Sequence, residues 1–349
     1  MPDVGKRIFI MLGDDIEKNN LHRIEPKTEN DMETSTHLPS KTFSRIAIGL
    51  FAMALSAIGL QFLLGFLQAA LVFNHVAIPN WAIWLMTSLP MYCVGFPIGF
   101  WVMKKVPCEV KEKTAIGGKE FFQLLIMCLP MMYAGNIIGT LLSMLLSGGQ
   151  ATNALDIYLF DDSPLKVLVV VIVAPMLEEL MFRKQIIDRC GKYGEKTAIL
   201  FSATMFALFH MNLFQCFYAF GIGLILGYVY TRTRCLRYSI LMHMIINFMG
   251  GVIAPLLLSS IDLDQLKGAA DEAAIQSNLL GWIVFSAYAI ALIVLTVAGV
   301  VLLCKRPFTF LSTEEELPKG QRFKNVYCNV GAILYTLFCV VMIVIQLAA

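Results

Sequence analysis

The sequence predicts an all-α protein, a polytopic bundle of about nine transmembrane helices whose N-terminus is cytosolic. Of the 349 residues, 58% are hydrophobic and only 15% are charged, whereas soluble domains are about 45–50% apolar and about 25% charged. Apolar stretches of about 20 residues recur along the chain, which is the length that crosses a hydrocarbon core of about 30 Å. These stretches are too long for barrel strands, and helices are the other structure that satisfies backbone polar groups in lipid.

The order of polar and apolar stretches predicts four regions. Residues 1–42 form a polar cytosolic tail, and 43–163 hold three N-terminal transmembrane helices. Residues 164–259 hold four helices, and 260–349 hold two C-terminal helices with a cytosolic loop. The predicted spans are 44–73, 80–103, 120–146, 164–188, 196–213, 214–231, 237–259, 278–304 and 326–347.

Basic residues predict the orientation of these spans. Lys and Arg concentrate in the segments 104–119, 183–196, 231–237 and 305–325. The alternate segments hold only Lys267 and, at a helix start, Lys166. Because cytoplasmic loops carry the excess of Lys and Arg, we expect the N-terminus inside and the C-terminus outside.

Charged and His residues within the apolar stretches fall in the fourth, fifth and seventh spans. Such residues cost about 2.5–3.5 kcal/mol each on insertion scales, so they are rarely without a function. In the fourth span, Glu178 and Glu179 point about 100° apart on a helix. Glu179 and Arg183 are spaced for an i,i+4 ion pair, which leaves Glu178 as the free carboxylate, suited to a general base. The alternative is a structural ion pair beside a carboxylate at the cytosolic interface.

The fifth and seventh spans supply imidazole and amide groups. Phe206 lies one helical turn before His210 and is placed to stack on its ring. His243 and Asn247 are four residues apart, so they share a helix face and form a candidate oxyanion-binding pair. Structural hydrogen bonding is the alternative for each. Amide hydrolysis needs a base, a group that holds the water and donors for the oxyanion, and together these residues supply all three.

The ordered motifs resemble one known family. Glu178-Glu179-x-x-x-Arg183, Phe206-x-x-x-His210 and His243-x-x-x-Asn247 are similar to the motifs of the CAAX-protease and bacteriocin-processing family of intramembrane peptidases, over about residues 164–250. The resemblance implies that 164–259 is the catalytic core, with Glu178 activating water and His210 positioning it. It also implies that His243 and Asn247 bind the oxyanion.

The resemblance carries further expectations. Glu179 and Arg183 would hold the architecture, with Phe206 in support. The expected activity is endopeptidase cleavage near the cytosolic face of a peptide or of a prenylated or membrane-associated protein. The expected location is a bacterial plasma membrane, with the lipid bilayer as surroundings, no nucleic acid partner and no predicted oligomeric state.

Three questions stay open: the use of a metal, the class of function and the depth of His210. A metal-free glutamate mechanism is favoured because the spacing is not H-E-x-x-H, but Glu178, His210 and His243 could ligate zinc as in a metalloprotease. The protein could instead be a non-catalytic bacteriocin-immunity or scaffold protein, or a transporter that uses the buried Glu and His. Finally, at about 1.5 Å per residue, His210 is predicted about 10 Å further from the cytosolic side than Glu178 and His243, which helix tilt alone would not explain.

Overall fold

The computed structural model describes residues 29–109, 111–153, 163–261 and 272–348, with side chains from 39 and, in the last range, from 279. The chain divides into two compact units, Met1–Leu38 and Pro39–Ala349. Residues 29–38 of the first unit are helical. Residues 1–28 of the predicted tail lie outside the described residues, as does Lys267.

Every regular element in the described ranges is a helix, as the sequence predicts. The first five are α1 Glu29–Phe73, α2 Asn80–Met103, α3 Gly118–Leu146, α4 164–190 and α5 Glu195–Phe209. They are followed by α6 Leu213–Thr233, α7 Leu236–Ser259, α8 Glu272–Lys305, α9 Lys319–Tyr327 and α10 Val330–Ala348.

Seven helices in the described ranges are long and apolar enough to cross a membrane: α1 from Pro39, α2, α3, α6, α7, α8 from Leu279, and α10. The chain is therefore an integral, multi-pass membrane protein. The two other predicted spans correspond to α4, which carries Glu178, Glu179 and Arg183, and to α5, which has only 15 residues. A nine-span count and the orientation of the N-terminus stay predictions.

Small residues let the central helices approach closely. A Cβ atom at Gly223 of α6 would lie 3.2 Å from Cβ of Ala203 in α5. At Gly135 of α3, a Cβ atom would lie 2.4 Å from Cα of Tyr218 in α6, so only glycine fits there. Close backbone packing of this kind is a usual source of helix association in membranes. It fixes α5 and α6 side by side, with α3 against α6.

A tight turn separates α5 from α6, where the sequence alone makes the boundary least secure. Met211 adopts a left-handed conformation with φ 47°, which ends α5. Asn212 then caps α6, because its Oδ1 accepts a hydrogen bond from the Phe214 N–H at 2.9 Å. This turn leaves His210 at the very end of α5.

Helix α4 is irregular on both sides of its carboxylates. Two π-helical segments, Val167–Val173 and Leu180–Ile187, flank the α-helical segment Ala174–Glu179. In the first π segment the N–H of Ala174 bonds to the Val169 carbonyl. The next donor in that register is Pro175, which has no N–H. Neither Ala174, whose N–H is used by Val169, nor Pro175 therefore donates a hydrogen bond to the Val170 carbonyl.

Candidate active site

The ion pair predicted from the spacing in α4 is present and fully buried. Nε of Arg183 donates to Oε2 of Glu179 at 3.0 Å, and both side chains are 0% exposed. Nη1 of Arg183 also donates to Oγ of Ser202 on α5 at 3.1 Å, and that hydroxyl donates to the Phe182 carbonyl at 2.6 Å. The pair therefore joins α4 to α5.

The imidazole of His243 on α7 lies against both carboxylates of α4. Its Nδ1 is 3.1 Å from Oε1 of Glu179. Because a carboxylate oxygen only accepts, Nδ1 carries a proton and donates it to this bond. The bond fixes the ring so that Nε2 faces Glu178, at 3.8 Å from Oε2. Glu179 thus orients the ring, and Nε2 is left for other partners.

The carboxylate of Glu178 is buried, with 8% of the residue exposed. Among the described residues no group donates a hydrogen bond to it, and His243 is the partner that lies within ion-pair distance. Tyr92 on α2 and Tyr218 on α6 are near enough to interact with it electrostatically. Of the two adjacent glutamates, Glu178 is therefore the one whose oxygens are free for chemistry.

The rings around Phe206 connect the two imidazoles. Its ring centroid lies 4.9 Å from that of His210 and 5.8 Å from that of His243, both in edge-to-face contact. The guanidinium of Arg183 lies 4.7 Å from the same ring. Nδ1 of His210 donates to the Phe206 carbonyl at 2.9 Å. In this tautomer Nε2 of His210 is an acceptor.

The depth difference predicted for His210 is much smaller in the structure. We call the end of the bundle with the Lys- and Arg-rich segments the basic end. Helix α4 ends at Cys190, two residues past the predicted span 164–188, and α5 begins at Glu195. Glu178 is then about 18 Å, and His210 about 22 Å, along their helices from that end. Counted from the basic ends of their helices, the two residues therefore lie at nearly the same level.

Asn247 is placed differently from the other predicted site residues. Its Nδ2 donates to the Val170 carbonyl at 2.9 Å, the carbonyl for which Pro175 offers no N–H. Asn247 therefore compensates for a missing backbone donor in α4. Its second amide hydrogen and its Oδ1 are not used by this bond.

The placement of the acidic and imidazole groups bears on metal binding. Among the described residues, no three His, Cys, Asp or Glu side chains are grouped closely enough to hold a metal ion. Glu178 and His243 lie together, but they do not form such a group with His210. The expectation of a metal-free site stays a prediction.

A cavity of about 700 Å³ adjoins His210. Its other walls come from α1, α2 and α10 and are almost entirely apolar: Ile58, Phe62, Phe66, Ala69, Met91 and Met342 are among them. Near the basic end, Thr42 of α1 contacts Tyr193 through their hydroxyl groups at 3.2 Å. The cavity therefore runs along α1 from the level of His210 away from the basic end.

Sequence reasoning missed three polar groups at the site. Ser202 bonds to Arg183, and Tyr92 and Tyr218 lie near Glu178. None of them is charged, so a search for ionisable residues within spans passes over them. For Tyr92 the sequence holds a signal, because the residue lies between Pro90 and Pro97. In the structure, Pro90–Gly95 is a π-helical segment, which is a backbone form frequent at functional sites.

Together, the fold and the site define a class of protein: a multi-pass helical membrane protein with a buried carboxylate–imidazole cluster. Residues 161–249 match the family described as type II CAAX prenyl endopeptidase Rce1-like. This match confirms the resemblance seen in the motifs, and it is confined to that segment of the chain. No curated protein and no solved structure that was compared with the chain matches it.

Proposed function

We propose that the protein is an intramembrane endopeptidase in which Glu178 activates a water molecule. The proposal rests on the difference between the hydrogen-bond partners of the two glutamates. Glu179 is occupied by Arg183 and His243, whereas the buried carboxylate of Glu178 has no hydrogen-bond donor among the described residues and faces His243. A base that is buried and accepts no hydrogen bond, beside an oriented imidazole, is suited to proton transfer.

The proposed reaction uses the groups in a fixed order. Glu178 takes a proton from water, and the oxygen of that water adds to the carbonyl carbon of the peptide bond. In this step His243 is doubly protonated: Nδ1–H stays bonded to Glu179, and Nε2–H donates to the oxyanion. Nε2 of His210 accepts a hydrogen bond from the attacking water. The C–N bond then breaks, and the proton on Glu178 passes to the leaving nitrogen.

Asn247 has a supporting part in this proposal. Because one amide hydrogen is bonded to Val170, only the second can reach an oxyanion. We therefore assign the larger share of oxyanion stabilisation to His243.

The proposed substrate is a peptide or protein that carries a prenyl or similar lipid chain. The apolar cavity beside His210 runs away from the basic end, so a lipid chain seated in it would leave the peptide on the basic side of Glu178. That direction supports cleavage near the cytosolic face. The volume of this cavity, about 700 Å³, is within the range of about 300–1,000 Å³ typical of ligand pockets.

The experiment compares the wild type with Glu178→Gln in detergent. Both are given a pool of lipidated peptides and the same peptides without lipid, with and without a chelator. Glu112→Gln, a change of an exposed residue in the loop before α3, is the matched control. Melting temperature checks that each variant is folded.

We expect cleavage by the wild type and by Glu112→Gln, none by Glu178→Gln, and resistance to the chelator. Cleavage by Glu178→Gln at the wild-type rate would refute the role of this residue. Loss of activity with the chelator would favour the zinc alternative. A folded wild type that cuts no peptide in the pool would favour the immunity or scaffold alternative.

A further inference from the structure

A second cavity lies at the basic end, apart from the acid–imidazole cluster. Its volume is about 510 Å³, and it is formed where the loop before α3 meets α4, α6 and the start of α7. Four cationic side chains line it, namely Lys113, Lys184, Arg234 and Arg237. No carboxylate is among its lining residues in the described part of the chain.

The positive charge of this cavity is only partly neutralised. Asp188 is the acid that its cations reach, accepting from Nη1 of Arg234 at 3.3 Å and pairing with Nζ of Lys184 at 3.5 Å. Arg237 and Lys113 have no carboxylate partner among the described residues. Asp188 therefore serves two of the four cations, and the cavity keeps an excess of positive charge that would attract an anion.

The walls of the cavity are held in place by hydrogen bonds. The N–H of Thr114 donates to the Thr233 carbonyl at 2.9 Å, and its hydroxyl donates to the Arg232 carbonyl at 2.6 Å. These bonds tie the loop to the end of α6. Arg234 follows in a left-handed conformation with φ 53° and is 9% exposed. Arg234 is thus a fixed cation, whereas Lys113 and Arg237 are exposed at the rim.

The surroundings of the cavity favour a lipid headgroup over a soluble anion. Leu236, which lines it, is the first residue of the apolar span α7. Leu241, Phe248 and Leu256 then continue along α7 as exposed apolar side chains. A basic pocket at the foot of a lipid-facing helix receives a headgroup at the level where the acyl chains can follow the helix.

We propose that this cavity binds the headgroup of an anionic phospholipid, with the phosphate between Arg234, Arg237 and Lys113 and the acyl chains along α7. The anionic surface of the cytoplasmic leaflet supplies such lipids. The site does not depend on the proteolytic mechanism, since none of its residues belongs to the acid–imidazole cluster.

The test uses the full-length protein in detergent and measures bound lipid by native mass spectrometry and by the shift in melting temperature. Phosphatidylglycerol is compared with phosphatidylcholine and with free glycerol 3-phosphate. The variant is Lys113→Gln/Arg237→Gln, because both side chains are exposed and can change without disturbing the buried Arg234. The control, Lys105→Gln/Lys324→Gln, removes the same charge from exposed positions of the basic end that do not line the cavity.

We expect phosphatidylglycerol to bind and to stabilise the wild type and the control. The Lys113→Gln/Arg237→Gln variant should lose about ten-fold or more in affinity. Equal losses in variant and control would overturn the proposal in favour of diffuse surface charge. Binding of glycerol 3-phosphate as tight as that of the lipid would overturn it in favour of a soluble anion.

Discussion

Glu179 bonds to side chains from different parts of the chain, and this sets the geometry of the cluster. Its Oε2 accepts from Arg183 and its Oε1 accepts from His243. The first partner follows from i,i+4 spacing and is predictable from the sequence. The second lies 64 residues away on another helix, and no local pattern indicates which of the two glutamates it would contact.

Arg183→Met should destabilise the protein strongly. It leaves the carboxylate of Glu179 buried without its guanidinium partner, and removing one partner of a buried pair costs about 3–5 kcal/mol. The measurement is unfolding by titration with a denaturing detergent. Lys192→Met is the control, because its pair with Glu315 is partly exposed to solvent, and ion pairs at the surface contribute about 0–1 kcal/mol. Similar losses of unfolding free energy in both variants would show that the buried pair contributes no more to stability than the partly exposed pair.

Helix α4 combines a proline with an amide from another helix. Pro175 removes a backbone donor, and Asn247 of α7 bonds to the Val170 carbonyl that lacks one. The His243-x-x-x-Asn247 pattern correctly predicts two polar groups on one face of α7. It cannot predict that Asn247 faces a backbone carbonyl, because the π-helical register that leaves this carbonyl unpaired is not visible in the sequence.

Asn247→Leu should lower stability by about 1–3 kcal/mol, because it leaves the Val170 carbonyl without its side-chain donor in a partly buried position of the bundle. Pro175→Ala restores an N–H to α4, so the double variant should recover part of the melting temperature that Asn247→Leu loses. Cleavage activity separates the two roles of Asn247. If activity recovers with stability, the amide acts through α4. If stability recovers and activity does not, the amide also contacts the reacting atoms.

The bundle extends well beyond the segment 161–249 that matches the family. The apolar cavity at His210 owes most of its walls to α1, α2 and α10, which lie outside that segment. The sequence predicts these helices as spans and leaves their role open. Their part in the cavity could not be predicted, because it depends on which faces of distant helices pack together, and nearly uniform apolar spans give no pattern that distinguishes one face from another.

Gly65→Trp should block the cavity and reduce cleavage of a lipidated peptide by about ten-fold or more, with little change in melting temperature. Gly65 lines the cavity, and a Cβ atom there meets nothing within 4 Å, so the new ring can be accommodated by extending into that space. Loss of a well-filled apolar contact of this size is enough for such a change. The assay measures initial rates with lipidated peptide.

Gly59→Trp is the matched control for this prediction. Gly59 lies on the same helix and also has open space at its Cβ atom, but it does not line the cavity. Its rate should equal that of the wild type. Equal rates for both tryptophan variants would mean that the substrate does not enter this cavity.

The irregular backbone and buried charges of α4 also affect how the protein is made. A newly synthesised α4 alone in lipid would expose two carboxylates, a guanidinium and an unpaired carbonyl, each of which opposes transfer into hydrocarbon. Its partners Ser202, His243 and Asn247 are translated later. We therefore expect α4 to remain beside the insertion machinery until α7 has been synthesised, so that α4 to α7 enter the bilayer as one group.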